Sequence, residues 1–152
     1  MSTVRFRPAA AADVAAIVAL LADDPLGASR EDASLPLDGR YTAAFAAIKA
    51  DPNQLLVVGE ADGAVVGCLQ VTFIPGMTRK GMWRGTIEGV RVSGSRRGAG
   101  VGRGMMIFAI EECRRRGCGL VQLTTDKSRE DARRFYEDLG FVASHEGMKL
   151  AL

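Results

Sequence analysis

The feature that most constrains this chain is the run R-R-G-A-G-V-G-R at residues 96–103. Gly98, Gly100 and Gly102 alternate between two patterned stretches. Residues 85–92 read as a strand in which Ile87, Val90 and Val92 suit a buried sheet, and residues 101–116 read as a helix with Met105, Phe108 and Ala109 at helical spacing. A strand-to-helix turn without Cβ atoms lets backbone N–H groups approach an anion closely, and the first helical turn adds unpaired donors and a partial positive charge. Arg96, Arg97 and Arg103 add formal charge at the same place. The same residues also suit a plain glycine-rich connection ahead of a solvated basic helix. Two phosphate loops are excluded by spacing. No Lys follows any of these glycines, as a Walker loop requires, and the third glycine of a G-x-G-x-x-G fingerprint would fall on Arg103 or Met105.

The rest of the chain supplies one domain's worth of elements. A first strand is expected over 3–7, closed by Pro8, then a helix from Ala11 whose Val14, Ile17, Val18 and Leu21 share a face. Pro25, Gly27 and Pro36 break regularity over 23–37, and a second helix follows over 39–50 with Tyr41, Phe45 and Ile48 inward. Two β-rich runs, 54–60 and 64–74, meet at Asp62-Gly63, a pair that tolerates the positive φ of a type I′ hairpin turn. After the glycine loop and its helix come a strand over 120–125, a helix over 129–139 and closing strands near 141–144 and 148–152. Ser128 with Asp131 predicts a capping-box start for the last helix, and Gly140-Phe141 predicts its stop. The order βααβββαβαββ implies an α/β (α+β) fold, a mixed and mostly antiparallel sheet of six to seven strands flanked by four helices, in a single domain over 1–152.

Composition narrows the function classes. A net charge of +2 and 6% aromatic residues argue against a nucleic-acid track, so the local arginine density points to one anionic partner. Cys68, Cys113 and Cys118 are odd in number and show no metal-ligand spacing, which predicts reduced thiols, a cytoplasmic location and no metal. Residues 1–7 lack an apolar core of the kind a secretory leader carries, and no run approaches the ~18 apolar residues of a membrane helix, so no membrane partner is expected.

The segment V-R-V followed by R-x-x-G-x-G, here Arg97, Gly98, Ala99, Gly100, Val101 and Gly102, resembles the acetyl-CoA loop of the GNAT superfamily of N-acetyltransferases. The element order is similar over nearly the whole chain, and A-R-R-F-Y-E-D-L-G-F resembles the family's A-x-x-F-Y-x-x-x-G-F. The resemblance implies acetyl-CoA as co-substrate and no metal. It implies that amides of residues 97–103 hold the coenzyme's pyrophosphate, that Val90, Arg91 and Val92 pair with the pantetheine arm, and that Phe135 and Tyr136 lie beside it. Many relatives carry Asn where this chain has Arg129, so Ser128 or Arg129 takes that contact, or it is absent.

Acetyl transfer to an amine poses two proton problems. An alkylamine of pKa near ~10 must lose a proton to attack, and the departing thiolate gains from an acid. Glu88, a lone carboxylate in I-E-G-V-R-V beside a glycine that permits a bulge, is the candidate base, directly or through water. A salt-bridged surface glutamate near Arg84 or Arg91 is the plainer role for it. Tyr136 is the candidate acid, because a phenol stays protonated at neutral pH; a core tyrosine whose hydroxyl reaches the surface is the plainer role for it. The expected acceptor is a primary amine of a small molecule or peptide, bound by residues 23–37, 75–83 and the C-terminal strands, which also allow a homodimer. A domain that holds acyl-CoA as a sensor or interaction module without turnover is the alternative.

Overall fold

The computed structural model describes residues 2–152; Met1, the first residue of the expected domain and of the stretch searched for a leader, lies outside them. Five strands form one sheet in the order β1 (Arg5–Pro8), β2 (Gln54–Ala61), β3 (Ala64–Ile74), β4 (Arg84–Val92) and β5 (Leu120–Leu123). Every pairing is antiparallel except β4 with β5, which is parallel. The hairpin between β2 and β3 turns at Asp62 (φ 53°) and Gly63 (φ 75°), as the Asp-Gly pair requires of a type I′ turn.

Helices cover the two faces unequally. On one face α3 (Val101–Arg115) seats Met105, Met106, Ala109 and Cys113 against Val57, Leu69, Val71, Phe73 and Ile87, forming the main core. On the other, α1 (Val14–Ala22) packs Ile17 and Leu20 on Val58 and Cys68. Arg7 orients α1 by gripping Asp13 through both terminal nitrogens, at 2.7 and 3.0 Å, while its Nε donates to Glu60 at 2.8 Å. Helix α2 (Gly39–Ala50) buries no residue fully, and α4 (Glu130–Asp138) lies beside α3 through Phe135, Tyr136 and Leu139. Pro25–Ala28 is a single helical turn, Thr78–Gly81 is a turn in which Arg79 (φ 52°) and Lys80 (φ 62°) are left-handed, and short 3-10 turns at Ala11–Asp13 and Gly94–Arg96 precede α1 and α3. Among the described residues no helix is long and apolar enough to cross a membrane.

The bulge permitted by Gly89 is present. Glu88 pairs with Gln70 and Arg91 with Cys68, so three steps along β4 match two along β3, with Gly89 at φ 62°. Pairing of β4 with β5 ends at Ile87 opposite Leu123, so residues 88–92 keep β3 on one side and no strand on the other.

The expected counts need correction, and so does the start of the first strand: the α-helical segments number six, the short ones at Pro25–Ala28 and Thr78–Gly81 included, where four helices were expected. The sheet has five strands, not six or seven, because residues 141–144 and 148–152 form no ladder. Gly140 (φ 98°) stops α4 as expected, with the Phe141 N–H closing on the Tyr136 carbonyl, but the tail beyond meets no strand of its own chain. The first strand also begins later than expected, at Arg5, and includes Pro8, which an edge strand tolerates.

Gly85 is a close-packing point: a Cβ there would lie 2.3 Å from the Cys113 Sγ, on a side chain that is 1% exposed. Gly85→Ala is expected to destabilise the fold by about 1–3 kcal/mol in urea unfolding, with Gly85→Ala/Cys113→Ala recovering part of the loss. Additive losses would show that β4 and α3 do not meet there.

Candidate active site

The glycine loop is open and donor-rich. Gly98 (φ 79°) and Gly100 (φ 82°) occupy the left-handed region, and a Cβ at either would meet nothing within 4 Å, so the loop backbone faces solvent. Gly100 is the N-cap of α3 with no side-chain cap, and no acidic residue stands in the first turn, which leaves the N–H groups of Val101, Gly102 and Arg103 without helical acceptors. Ala99 continues the loop, its N–H bonded to the Arg96 carbonyl at 3.2 Å. Arg97 and Arg103 are exposed, and among the described residues neither pairs with a carboxylate. Arg96 is committed elsewhere, to Asp62 at 2.8 Å and the Ser2 hydroxyl at 2.9 Å, so it braces the β2–β3 turn.

From this loop the unpaired edge of β4, carrying Val90, Arg91 and Val92, runs back toward Tyr136. Phe135 packs on Gly102, where a Cβ would sit 3.5 Å from its ring, and meets Tyr136 edge-on at 5.2 Å. Tyr136 in turn meets Phe141 at 6.0 Å. Burial raises the Tyr136 pKa above its ordinary value, and the nearby Arg91 and Arg129 guanidiniums only partly offset this. The phenol is therefore protonated at neutral pH. The Val90 carbonyl accepts from the Arg91 guanidinium at 2.9 Å, and an edge of this kind, with no strand beside it and helix-start amides at its end, fits an extended arm ending in a diphosphate.

Arg129 makes an ion pair with Asp24, which also caps the Pro25–Ala28 turn through the Gly27 N–H and lies 3.2 Å from the Arg91 Nε. That Nε is buried, near enough for an ion pair yet out of line for a hydrogen bond. Burial works to raise the Asp24 pKa, but the Gly27 N–H and the two guanidiniums outweigh it and hold the carboxyl below its usual range. Ser128 does not cap α4: its hydroxyl and N–H both donate to Asp126, at 2.6 and 2.9 Å, and the N-cap is Arg129 without a side-chain bond. The expected capping box with Asp131 is absent because Asp126 draws Ser128 into a turn one step earlier.

Glu88 is exposed, on the sheet face opposite α3. Beside it, the register lines up Gln54, Thr72, Thr86 and Gln122 across four strands. The Gln54 carbonyl accepts from Gln70 at 2.9 Å and Thr72 at 3.0 Å, and Gln122 donates to Thr86 at 3.1 Å. Sequence reasoning missed this polar floor and the Asp24–Arg91–Arg129 cluster, since only strand register and long-range packing assemble them. The acids of residues 23–37 are partly spent internally: Asp24 as described, and Glu31 on the Tyr41 hydroxyl at 2.6 Å. His145 is exposed and shares a hydrogen bond of 2.7 Å with Ser144. Burial pushes the Cys68 and Cys113 thiols up to about 12, so neither offers a thiolate at neutral pH.

Residues 16–141 match the acetyltransferase (GNAT) family model, and the chain belongs to that family. It is 40% identical to a glucosamine 6-phosphate N-acetyltransferase of Trypanosoma brucei brucei over 59% of each chain. It is 34% identical to an aminoalkylphosphonate N-acetyltransferase of Salmonella typhimurium over 66% of this chain and 65% of that protein. Both matches therefore span less than two thirds of the curated relatives' length. The crystal structure of a transcriptional regulator from Bacillus halodurans C-125 superposes with a TM-score of 0.97 at 50% identity, covering 99% of this chain and 100% of that one.

Because the Asp24 carboxyl is depressed in the folded state, its contribution is present above the unfolded carboxyl pKa and lost as pH falls through the folded one. Asp24→Asn is expected to cost about 2 kcal/mol at pH 7, with the gap from wild type narrowing steadily below pH ~4 in denaturant titrations. A gap independent of pH would show that the carboxylate charge does not hold the two arginines.

Proposed function

We propose that this member of the acetyltransferase family moves the acetyl group of acetyl-CoA onto a primary amine of a small molecule or peptide by direct attack, with both substrates bound at once. The observation that carries this is the one-sided edge of β4, which runs from Tyr136 to the open glycine loop. Amides of Gly98, Ala99, Gly100, Val101, Gly102 and Arg103 would receive the diphosphate, with Arg97 and Arg103 supplying charge. The backbone of Val90, Arg91 and Val92 would take the arm as a further strand. Acetyl-CoA supplies the activated thioester.

The chain's own groups then handle the protons. Glu88, solvated and beside the polar floor, accepts the proton that the attacking amine must lose, directly or through one water. A main-chain N–H of the bulged stretch can donate to the carbonyl oxygen as negative charge builds there. The Tyr136 hydroxyl gives its proton to the departing thiolate. The new C–N bond replaces the C–S bond: the ammonium's first proton goes to Glu88 before attack, the second leaves the nitrogen for solvent once the C–N bond has formed, and Tyr136, having protonated the thiolate, is reprotonated from solvent. The raised thiol pKa values of Cys68 and Cys113 favour direct attack over an acyl-cysteine route.

The row of Gln54, Thr72, Thr86 and Gln122 next to Glu88 suits an acceptor with neutral hydrogen-bonding groups near its amine. The two curated relatives are named for amines that carry a phosphate or a phosphonate, so such amines are the first acceptors to test. The reduced thiols agree with action in the cytoplasm. A second reading, an acyl-CoA sensor without turnover, draws support from the transcriptional-regulator name of the Bacillus halodurans relative.

Purified protein is expected to release free thiol from acetyl-CoA with at least one amine of a panel that includes phosphorylated and phosphonated members. Tyr136→Phe and Glu88→Gln should each lower kcat by about 10–100-fold with little change in coenzyme affinity. Arg97→Ala/Arg103→Ala should do the reverse, weakening coenzyme binding about 10-fold or more while sparing kcat. Tight coenzyme binding with no turnover on any amine would favour the sensor, and unchanged kcat in both site variants would remove the assigned proton roles.

A further inference from the structure

The turn between β3 and β4 combines backbone strain with unbalanced charge. Arg79 and Lys80 are left-handed one after the other, a conformation that side-chain-bearing residues adopt at a cost, and Gly81 (φ 75°) follows them. Packing does not offset that cost, because no residue of Thr78–Gly81 is buried and both cations are exposed. Strain of this kind collects at ligand clamps. Residues 74–85 contain three cations, Arg79, Lys80 and Arg84, and no Asp or Glu. Among the described residues none of the three makes an ion pair, so Arg84 does not neutralise Glu88.

Register ties this turn to the polar floor. Arg84 opens β4 opposite Ile74, and by strand alternation it shares a face with Thr86 and Glu88, while Gly85 and Ile87 turn toward α3. It is half-buried, with its Nη1 3.1 Å from where a Cβ on Gly76 would stand. One face thus carries a carboxylate at one end, the neutral groups of Thr72, Thr86 and Gln122 in the middle, and uncompensated cations at the other end. Glu88 and Arg84 are four residues, about 13 Å, apart along the strand.

We propose that Arg79, Lys80 and Arg84 form an anion subsite that takes a phosphoryl group of the acceptor while Glu88 meets its amine. The inference rests on the acetyl-transfer reading of Glu88. An amine with an anionic far end matches the two charged ends of the floor, and three cations around one group favour a dianion over a carboxylate. The span favours a phosphoryl group several bonds from the amine, as in glucosamine 6-phosphate, over one on the next carbon, as in aminomethylphosphonate.

Initial rates at saturating acetyl-CoA test this. kcat/KM for glucosamine 6-phosphate should exceed that for glucosamine and for aminomethylphosphonate by about 10-fold or more, an advantage that shrinks with added salt. Arg79→Gln/Arg84→Gln, with unchanged far-ultraviolet dichroism, should raise KM for glucosamine 6-phosphate by about 10-fold or more while shifting kcat, and KM for glucosamine, by less than about twofold. Arg84→Lys should lose less than Arg84→Gln. Calorimetry on the protein loaded with coenzyme A should rank the three amines alike without turnover. Phosphate-dependent affinity with no acetylation would count for the subsite and against the acetyl-transfer reading. Acetylation that is indifferent to the phosphate would overturn the subsite and leave that reading standing. Equal losses for both sugars in the double variant, or no phosphate-dependent affinity in either assay, would also overturn the subsite.

Discussion

Everything at the site depends on β4 losing its neighbour halfway along. Up to Ile87 it is an interior strand; from Glu88 onward it has β3 alone. The cause is local. Gly89 takes a φ of 62°, which side-chain-bearing residues adopt at a cost, and the bulge it permits falls where β5 ends, at Leu123 opposite Ile87. Peptide groups stranded in this way need another partner. That need makes a gap in a sheet a binding site, because an extended ligand with amides of its own satisfies the same donors and acceptors that a strand would.

The two ends of the gap are built from different physics. At one end the helix α3 begins at a left-handed glycine with no capping side chain and no acid in its first turn, so its donors and dipole remain available to an anion. At the other end lies a half-buried phenol whose proton is held by burial, set near two arginines that Asp24 neutralises in part. Charge is thus concentrated at the loop and damped near Tyr136. Burial keeps that phenol protonated, against the pull of the two guanidiniums on its pKa.

What could be read from the chain alone was what short segments decide by themselves. The glycine loop, the Asp62-Gly63 hairpin, the Gly140 stop and the Gly89 bulge each follow from one or two residues whose backbone preferences leave few choices. The features that escaped all join distant residues. Asp24 meets Arg91 and Arg129 only after folding, the polar row from Gln54 to Gln122 exists only in the correct register, and Ser128 turned to Asp126 where two acids competed for one backbone N–H. The last strands failed for a related reason. Their alternating pattern asks for one covered face, but a pattern cannot supply the strand to pair with.

If main-chain amides of the glycine loop and of the bulged strand grip a coenzyme A diphosphate and its arm, amide nitrogen–proton correlation spectra recorded through a coenzyme A titration will show it. The largest shifts are then expected at Gly98, Gly100, Gly102 and Arg103, with a second set at Val90 and Val92. The loop set alone should move when 3′,5′-adenosine diphosphate replaces the full coenzyme. Saturating coenzyme that leaves the loop amides unmoved, or moves only residues remote from β4, would contradict it.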